Sequence, residues 1–194
     1  MLSNLLKDKK IILGSASPRR KELLSDIGLE FSIQTTDKEE GYPTNLKEHE
    51  IAEFLAKQKA KFLSENLSKT DLLITADTIV SFKGELQNKP KNKKEAFNTL
   101  RKLSENTHKV ITGVCIKNHQ KEITFSAITL VTFKQLTKEE INFYINNFNP
   151  FDKAGAYGIQ DWIGKIGIKN IEGSYSNVVG LPTAEVYQQL KLFI

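Results

Sequence analysis

The stretch Ile11–Ile27, IILGSASPRRKELLSDI, decides the fold of this chain. It opens on a short apolar run, Ile11, Ile12 and Leu13, suited to a buried strand. Gly14-Ser15-Ala16-Ser17 forms a small-residue turn. A helix then begins, because Ser17 supplies a capping oxygen and Pro18 suits the first helical position, where no N–H is needed. Leu23, Leu24 and Ile27 give this helix an apolar face. A strand–turn–helix of this kind points backbone N–H groups and the positive end of the helix dipole at whatever lies over the turn. Arg19 and Arg20 place permanent cations at the same spot, and a guanidinium matches phosphate oxygens well. The plainer reading is a helix whose first turn is merely basic. Cations near a helix N-terminus are mildly destabilising unless an anion compensates, so an anion site, with a phosphate chain as ligand, is the stronger reading.

Composition narrows the classes. The 194 residues suffice for one sizeable core or one domain with two lobes. Hydrophobic residues make up 39% and charged residues 26%, as in an ordinary globular protein. The net charge of +5 suits an acidic ligand, but the basic residues are spread out and do not separate a nucleotide from a nucleic acid. Cys115 stands alone, which excludes an internal disulfide. His49, His108 and His119 are too scattered for a zinc motif. No apolar run is long enough to span a membrane, and MLSNLLKDKK lacks the features of a signal peptide. A cytoplasmic protein is expected.

Further along, Phe31–Gln34 reads as a second strand, and residues 37–43 as an acidic turn. A long helix is expected over about Leu46–Asn66, with Ile51, Ala52, Leu55, Ala56, Phe62 and Leu63 on one side. Lys59 interrupts that stripe. Its ammonium either snorkels to water or reaches into a cleft toward an anion. Leu72–Phe82, LLITADTIVSF, reads as a central strand broken by Asp77 and Thr78. A carboxylate there is either a turn cap or a metal ligand or general base. Lys93–Glu105 reads as a helix, His108–Lys117 and Glu122–Phe133 as strands. A helix follows from Thr137, with Glu140 completing a capping box and Ile141, Tyr144, Ile145 and Phe148 facing the core. Asp152–Gln160, DKAGAYGIQ, packs poorly as a regular element and positions Lys153 and Gln160 or admits another backbone. Ile163–Ile171 reads as a strand, residues 173–177 as a turn, and a last helix starts at Pro182 with Val186, Leu190 and Phe193 inward. Strands and helices alternate at first, with hairpin-like pairs in the middle. The expected fold class is therefore α/β, a mixed twisted sheet with flanking helices, whose ligand sits beyond the strand ends.

Asp77 and Glu40, with neighbouring Glu39, suit a hard metal ion or water activation, while Arg20, Lys59, Lys89 and Lys153 suit phosphates. Together they make a kit for attack of water on a phosphoanhydride. There is no Walker G-x-x-x-x-G-K-[ST], which excludes that class of ATPase, and no G-x-S-x-G of a serine hydrolase. The chain also lacks an aromatic-studded basic strand pair and a recognition-helix pattern, so nucleic acid is not an expected partner.

These residues occur within Ser15-Ala16-Ser17-Pro18-Arg19-Arg20, Lys59-Ala60, Ala76-Asp77-Thr78-Ile79-Val80, Lys89-Pro90, Thr107-His108 with Thr112, Asp152–Gln160, and Gly173-Ser174-Tyr175 with Val179-Gly180-Leu181-Pro182. In that order they resemble the Maf family of nucleoside triphosphate pyrophosphatases, from about Ile11 to Leu190. The resemblance implies a single elongated α/β domain with two lobes around a cleft, similar to the inosine triphosphate pyrophosphatases. It implies hydrolysis of a nucleoside triphosphate to the monophosphate and pyrophosphate with a divalent cation, Mg²⁺ or Mn²⁺, and Asp77 as proton acceptor. Selectivity residues fall on Arg19, Thr78 and Gln160, a combination similar to the dTTP/UTP branch. The 7-methyl-GTP branch differs there. Phosphate-binding positions fall on Ser15, Arg20, Lys59, Lys89 and Lys153, and the metal on Asp77 and Glu40, the latter chosen over Glu39 by counting from Phe31. A homodimer is implied by the resemblance alone. The family's usual glycine before Lys-Pro is Asn88 here, and His108 is read as structural. The competing expectations are hydrolysis of 7-methyl-GTP and a non-catalytic nucleotide-binding regulator of septum formation or cell division.

Overall fold

The computed structural model describes residues 2–38, 41–65 and 67–193. In chain order these form α1 (Leu2–Leu5), β1 (Lys10–Leu13), α2 (Pro18–Asp26), β2 (Ser32–Ile33), α3 (Glu48–Leu63), β3 (Asp71–Phe82), β4 (Glu85–Leu86), α4 (Lys93–Leu103), β5 (Thr107–Lys117) and β6 (Glu122–Phe133). The chain continues with α5 (Lys138–Phe148), two short 3₁₀ turns (Pro150–Asp152 and Ala154–Ala156), α6 (Trp162–Gly167), β7 (Ile168–Glu172), α7 (Tyr175–Val179) and α8 (Thr183–Phe193). Among the described residues, seven strands form one mixed sheet in the order β2-β1-β3-β5-β6-β7, with β4 paired to β3. β1 runs parallel to both neighbours, setting Leu13 opposite Ile33 and Ile74. β3–β4 and β6–β7 are antiparallel. The expected mixed sheet with flanking helices is what the chain forms. No described helix is long and apolar enough to cross a membrane.

The chain divides into two compact units, one of Met1–Asp77, Thr112–Ala127 and Gly180–Ile194, the other of Thr78–Ile111 and Ile128–Val179. β3, β5 and β6 each contribute residues to both. In the first unit the strand period of two sorts side chains between the faces of the sheet. Leu13, Leu72, Ile74, Val114 and Ile116 pack with Leu24 of α2 and Val186 and Leu190 of α8. Ile12, Leu73 and Cys115 pack instead with Ala56, Ala60 and Leu63 of α3. In the second unit Leu100 and Leu103 of α4, Ile141 and Tyr144 of α5, Phe133 and Ile163 share one core. Each fully buried Leu or Ile side chain contributes roughly 1.5–3 kcal/mol.

Helix ends follow local chemistry. Ser17 Oγ accepts from Arg20 N, Asn92 from Glu95 N and Thr137 from Glu140 N, and Glu140 closes its capping box. The expected long helix is shorter, Glu48–Leu63, and Asn66 lies outside the described residues. Phe62 does not belong to its buried stripe. Ala60 takes that place, and Phe62 lies partly exposed under the Lys38 ammonium. Phe148 is likewise 37% exposed rather than part of the core face of α5.

The expected strand over Ile163–Ile171 is corrected to α6 followed by β7. Glycines at 164 and 167 blur the pattern, and Ile163 and Ile166 are also one helical turn apart. Gly164 N and Lys165 N donate to Asp161 O. A Cβ on Gly164 would lie 1.9 Å from the Ile159 carbonyl oxygen, so only glycine lets the helix sit this close. The expected turn over 173–177 becomes the start of α7, and the pattern reading gave no sign of α1.

Candidate active site

In the first unit the site begins where β1 ends. Gly14 N donates to Ile74 O at 2.8 Å, fastening the turn to β3. A Cβ on Gly14 would lie 2.5 Å from Thr75 Cγ2 and 2.8 Å from Leu63, so the turn packs tightly because this residue has no side chain. Ser15 is buried and joined to Arg20: Arg20 Nη1 donates to Ser15 Oγ at 3.2 Å, and Arg20 Nε donates to Gly180 O at 2.8 Å. Ser15 Oγ also accepts from Ser17 N at 3.2 Å. With both acceptor positions in use, the hydroxyl proton is what Ser15 can offer to a ligand. Arg19 stands half-buried beside it in the first turn of α2.

Asp77 ends the first unit's share of β3, and Lys59 reaches it from α3. Lys59 Nζ lies 2.5 Å from Asp77 Oδ1 and 3.4 Å from Ala76 O. Their side chains are 16% and 17% exposed, neither in bulk water nor sealed. Of the two expectations for Lys59, simple snorkelling does not describe it, because its head rests on a carboxylate. Asp77 is correspondingly an ion-paired strand residue and not a turn cap. Buried Thr75, two residues earlier, donates its hydroxyl to Ala56 O at 2.7 Å and so pins α3 one turn from Lys59. Gly113 admits the same helix. A Cβ there would lie 2.2 Å from the Ala52 carbonyl group.

The second unit carries the remaining predicted residues. Thr78 is half-buried in β3. Lys89 is exposed in the segment after β4. Gly155, at φ +71°, donates its N–H to Gln87 O at 2.8 Å, so Lys89 and Lys153 each stand two residues from one shared bond. Lys153 Nζ lies 2.7 Å from Asp152 Oδ1 and 3.9 Å from Asp161 Oδ2. Gln160 has a buried Oε1 with no hydrogen-bond partner. A buried acceptor left unpaired is costly, which is expected of a group kept for a ligand's donor.

Two residues near Gln160 escaped the pattern reading. Tyr144 donates its hydroxyl to Asp161 Oδ2 at 2.7 Å and accepts from Gly158 N at 3.0 Å. Tyr144 looked like an ordinary core aromatic. The available signal was Asp161 itself, an acidic residue directly before a helix, hidden because α6 was expected to be a strand. His108 is structural, as expected. It is buried, its Nε2 lies 2.7 Å from Tyr157 Oη, and its ring stacks on Phe133. Burial pushes its pKa down to about 4.

Glu39 and Glu40 lie outside the described residues. Among the described residues no three His, Cys, Asp or Glu side chains gather as a metal site. Of the two predicted metal residues, Asp77 is the one described, and its carboxylate offers a hard oxygen ligand. That fits a magnesium-like ion, which is held by one or two carboxylates and takes its other ligands from phosphate and water.

Residues 10–193 match the family model described as Maf-like protein. The chain is 46% identical over 194 residues to a dTTP/UTP pyrophosphatase from Flavobacterium johnsoniae, covering 100% of both chains. It is 48% identical to one from Flavobacterium psychrophilum, covering 98% of this chain and 97% of that one. A third, from Phocaeicola vulgatus, is 50% identical, with 98% and 99% covered. A solved nucleoside-triphosphatase / dITP/XTP pyrophosphatase from Mycobacterium abscessus overlaps at a TM-score of 0.38 with 12% identity, covering 64% of this chain and 72% of that one, too slight a likeness to argue from.

Proposed function

The chain belongs to the Maf family, and from that premise we propose that it hydrolyses dTTP and UTP to the nucleoside monophosphate and pyrophosphate. The observation that carries the chemistry is the partly sheltered Lys59–Asp77 pair. On this reading the carboxylate of Asp77 accepts the proton of a water whose oxygen attacks the α-phosphorus. The α–β phosphoanhydride bond breaks, and pyrophosphate leaves with the bonding electrons. The O–H of Ser15, the N-terminus of α2 and Arg20 are suited to phosphate oxygens, and Lys59, Lys89 and Lys153 add positive charge for the leaving group.

A hard divalent cation, Mg²⁺ or Mn²⁺, held by Asp77 and Glu40, would draw charge from the phosphate oxygens. The unpartnered Oε1 of Gln160 supports a pyrimidine with an imide N–H, since uracil and thymine present that donor between two carbonyls. Arg19 and Thr78 complete the selectivity set. The proposed setting is the cytoplasmic nucleotide pool.

The test is a panel of dTTP, UTP, CTP, ATP, GTP and 7-methyl-GTP with Mg²⁺, with Mn²⁺ and without metal, followed by pyrophosphate release. Turnover of dTTP and UTP that needs the metal is the expected result. A purine preference would overturn the role of Gln160. Tight, salt-resistant nucleic-acid binding without any turnover would overturn the enzyme itself.

A further inference from the structure

Gln160 sits in a chain reversal closed on itself. Asp161 N donates to Gly158 O at 3.1 Å, so Gly158-Ile159-Gln160-Asp161 is a β-turn with Gln160 at its third position. Both ends of this turn meet one atom. Gly158 N donates to Tyr144 Oη at 3.0 Å, and Tyr144 Oη donates to Asp161 Oδ2 at 2.7 Å. The Tyr144 side chain is fully buried in α5, an element that the capping box of Thr137 and Glu140 anchors. Asp161 also begins α6, its carbonyl accepting from Gly164 N and Lys165 N. The turn is therefore tied to α5 through the Tyr144 hydroxyl, which meets Gly158 N and the Asp161 carboxylate, and to α6 through the Asp161 backbone carbonyl.

We propose that Tyr144 and Asp161 are positioning residues for base recognition: the Tyr144 hydroxyl clamps the Gly158–Asp161 turn and thereby fixes where Gln160 presents its unpartnered Oε1. The inference rests on the reading of Gln160 as the base-reading residue. Neither clamp residue is given contact with the nucleotide; each acts through the turn. A loosened turn lets the amide swing, and a misplacement of about 1 Å at such a point can cost up to about 100-fold in rate. The loss falls on the nucleotide whose N–H the amide must meet. CTP, which has an unprotonated ring nitrogen at that position, loses nothing from it.

Two substitutions disturb the clamp from opposite sides. Tyr144→Phe removes the shared hydroxyl and keeps the ring. Gly158→Ala keeps the hydroxyl but sets a Cβ 2.6 Å from Asp161 Oδ2, pushing the carboxylate aside. The experiment compares kcat/KM for UTP and CTP in the wild type and both variants, with melting temperatures measured alongside. The expected result is a fall of about tenfold in the UTP-to-CTP ratio in each variant, carried by a higher KM for UTP. A fall in activity that is equal for both nucleotides, or ratios unchanged in folded variants, overturns the positioning role. Failure of both variants to fold overturns it too, since the contact would then be a stability device. A wild-type enzyme with no preference for UTP over CTP defeats the reading of Gln160 instead, and shows itself before any variant is made.

Discussion

The ammonium of Lys59 and the carboxylate of Asp77 meet at 2.5 Å, joining the middle of α3's buried stripe to the point in β3 where apolar residues give way. Each alone would be an anomaly in its element, and each accounts for the other. The pair fixes the direction of the carboxylate before any ligand arrives. Asp77→Asn keeps the shape and the contact with Lys59 but cannot take a proton. Hydrolysis is expected to fall by about 100- to 10,000-fold, with the circular dichroism spectrum and melting temperature close to wild type. Turnover near wild type would remove Asp77 from the role of proton acceptor.

The distance between those two groups depends on how α3 lies on the sheet. Thr75→Val deletes the hydroxyl that donates to Ala56 O at a site with no solvent access. A hydrogen bond of this kind contributes about 1 kcal/mol, so the melting temperature should drop by about 2–4 °C. Gly113→Ala drives a Cβ into the backbone of Ala52 and should be clearly worse, because the whole helix must move. Thermal melts of the two variants give this ranking directly. The reverse order would mean that α3 is held elsewhere.

Elements with a local signature were legible in the sequence. Ser17 with Pro18 announced α2, Thr137 with Glu140 announced α5, and the apolar run around Asp77 announced β3. The Lys59–Asp77 pair could be suspected because each residue broke the pattern of its own element. Tyr144 and Asp161 could not, since a tyrosine among isoleucines looks like core and an aspartate after a glycine-rich loop looks like loop. Their relation is a hydrogen bond between residues 17 positions apart, and no periodicity encodes it. α6 was missed because its glycines erased the difference between the two periods. Ala60 is buried against Ile12, Leu73 and Cys115, while the Phe62 ring stays partly exposed under the Lys38 ammonium, a long-range contact that the spacing within α3 does not encode.

Arg20 holds the turn between β1 and α2 in shape. Its Nε reaches Gly180 O and its Nη1 reaches Ser15 Oγ, two bonds that share one rigid plane. A lysine keeps the charge but has no fork with which to make both. Arg20→Lys should therefore raise KM for the triphosphate by about tenfold, while Arg20→Ala, which also loses the charge, should cost more. Steady-state kinetics on UTP decide this. Equal values for the wild type and the lysine variant would mean that only charge matters at this position.

His108 sets a pH limit on the second unit. Its ring is 2% exposed, stacked on Phe133 and bonded to Tyr157, and burial pushes its pKa down to about 4. In the unfolded chain the same imidazole titrates near about 6.5. Above that value both states are neutral at this group, and stability does not depend on it. As pH falls from about 6.5 toward 4, the unfolded chain takes up a proton that the folded ring refuses, so folding weakens by up to about 1.4 kcal/mol per pH unit. Below about 4 the folded ring is protonated too and the dependence ends. His108→Gln retains a hydrogen-bonding group opposite Tyr157 and cannot titrate. Urea midpoints for the wild type and this variant, measured across that interval, should converge as the medium becomes more acidic, with the variant the flatter of the two. Parallel curves would mean that the acid sensitivity comes from carboxylates elsewhere and not from this ring.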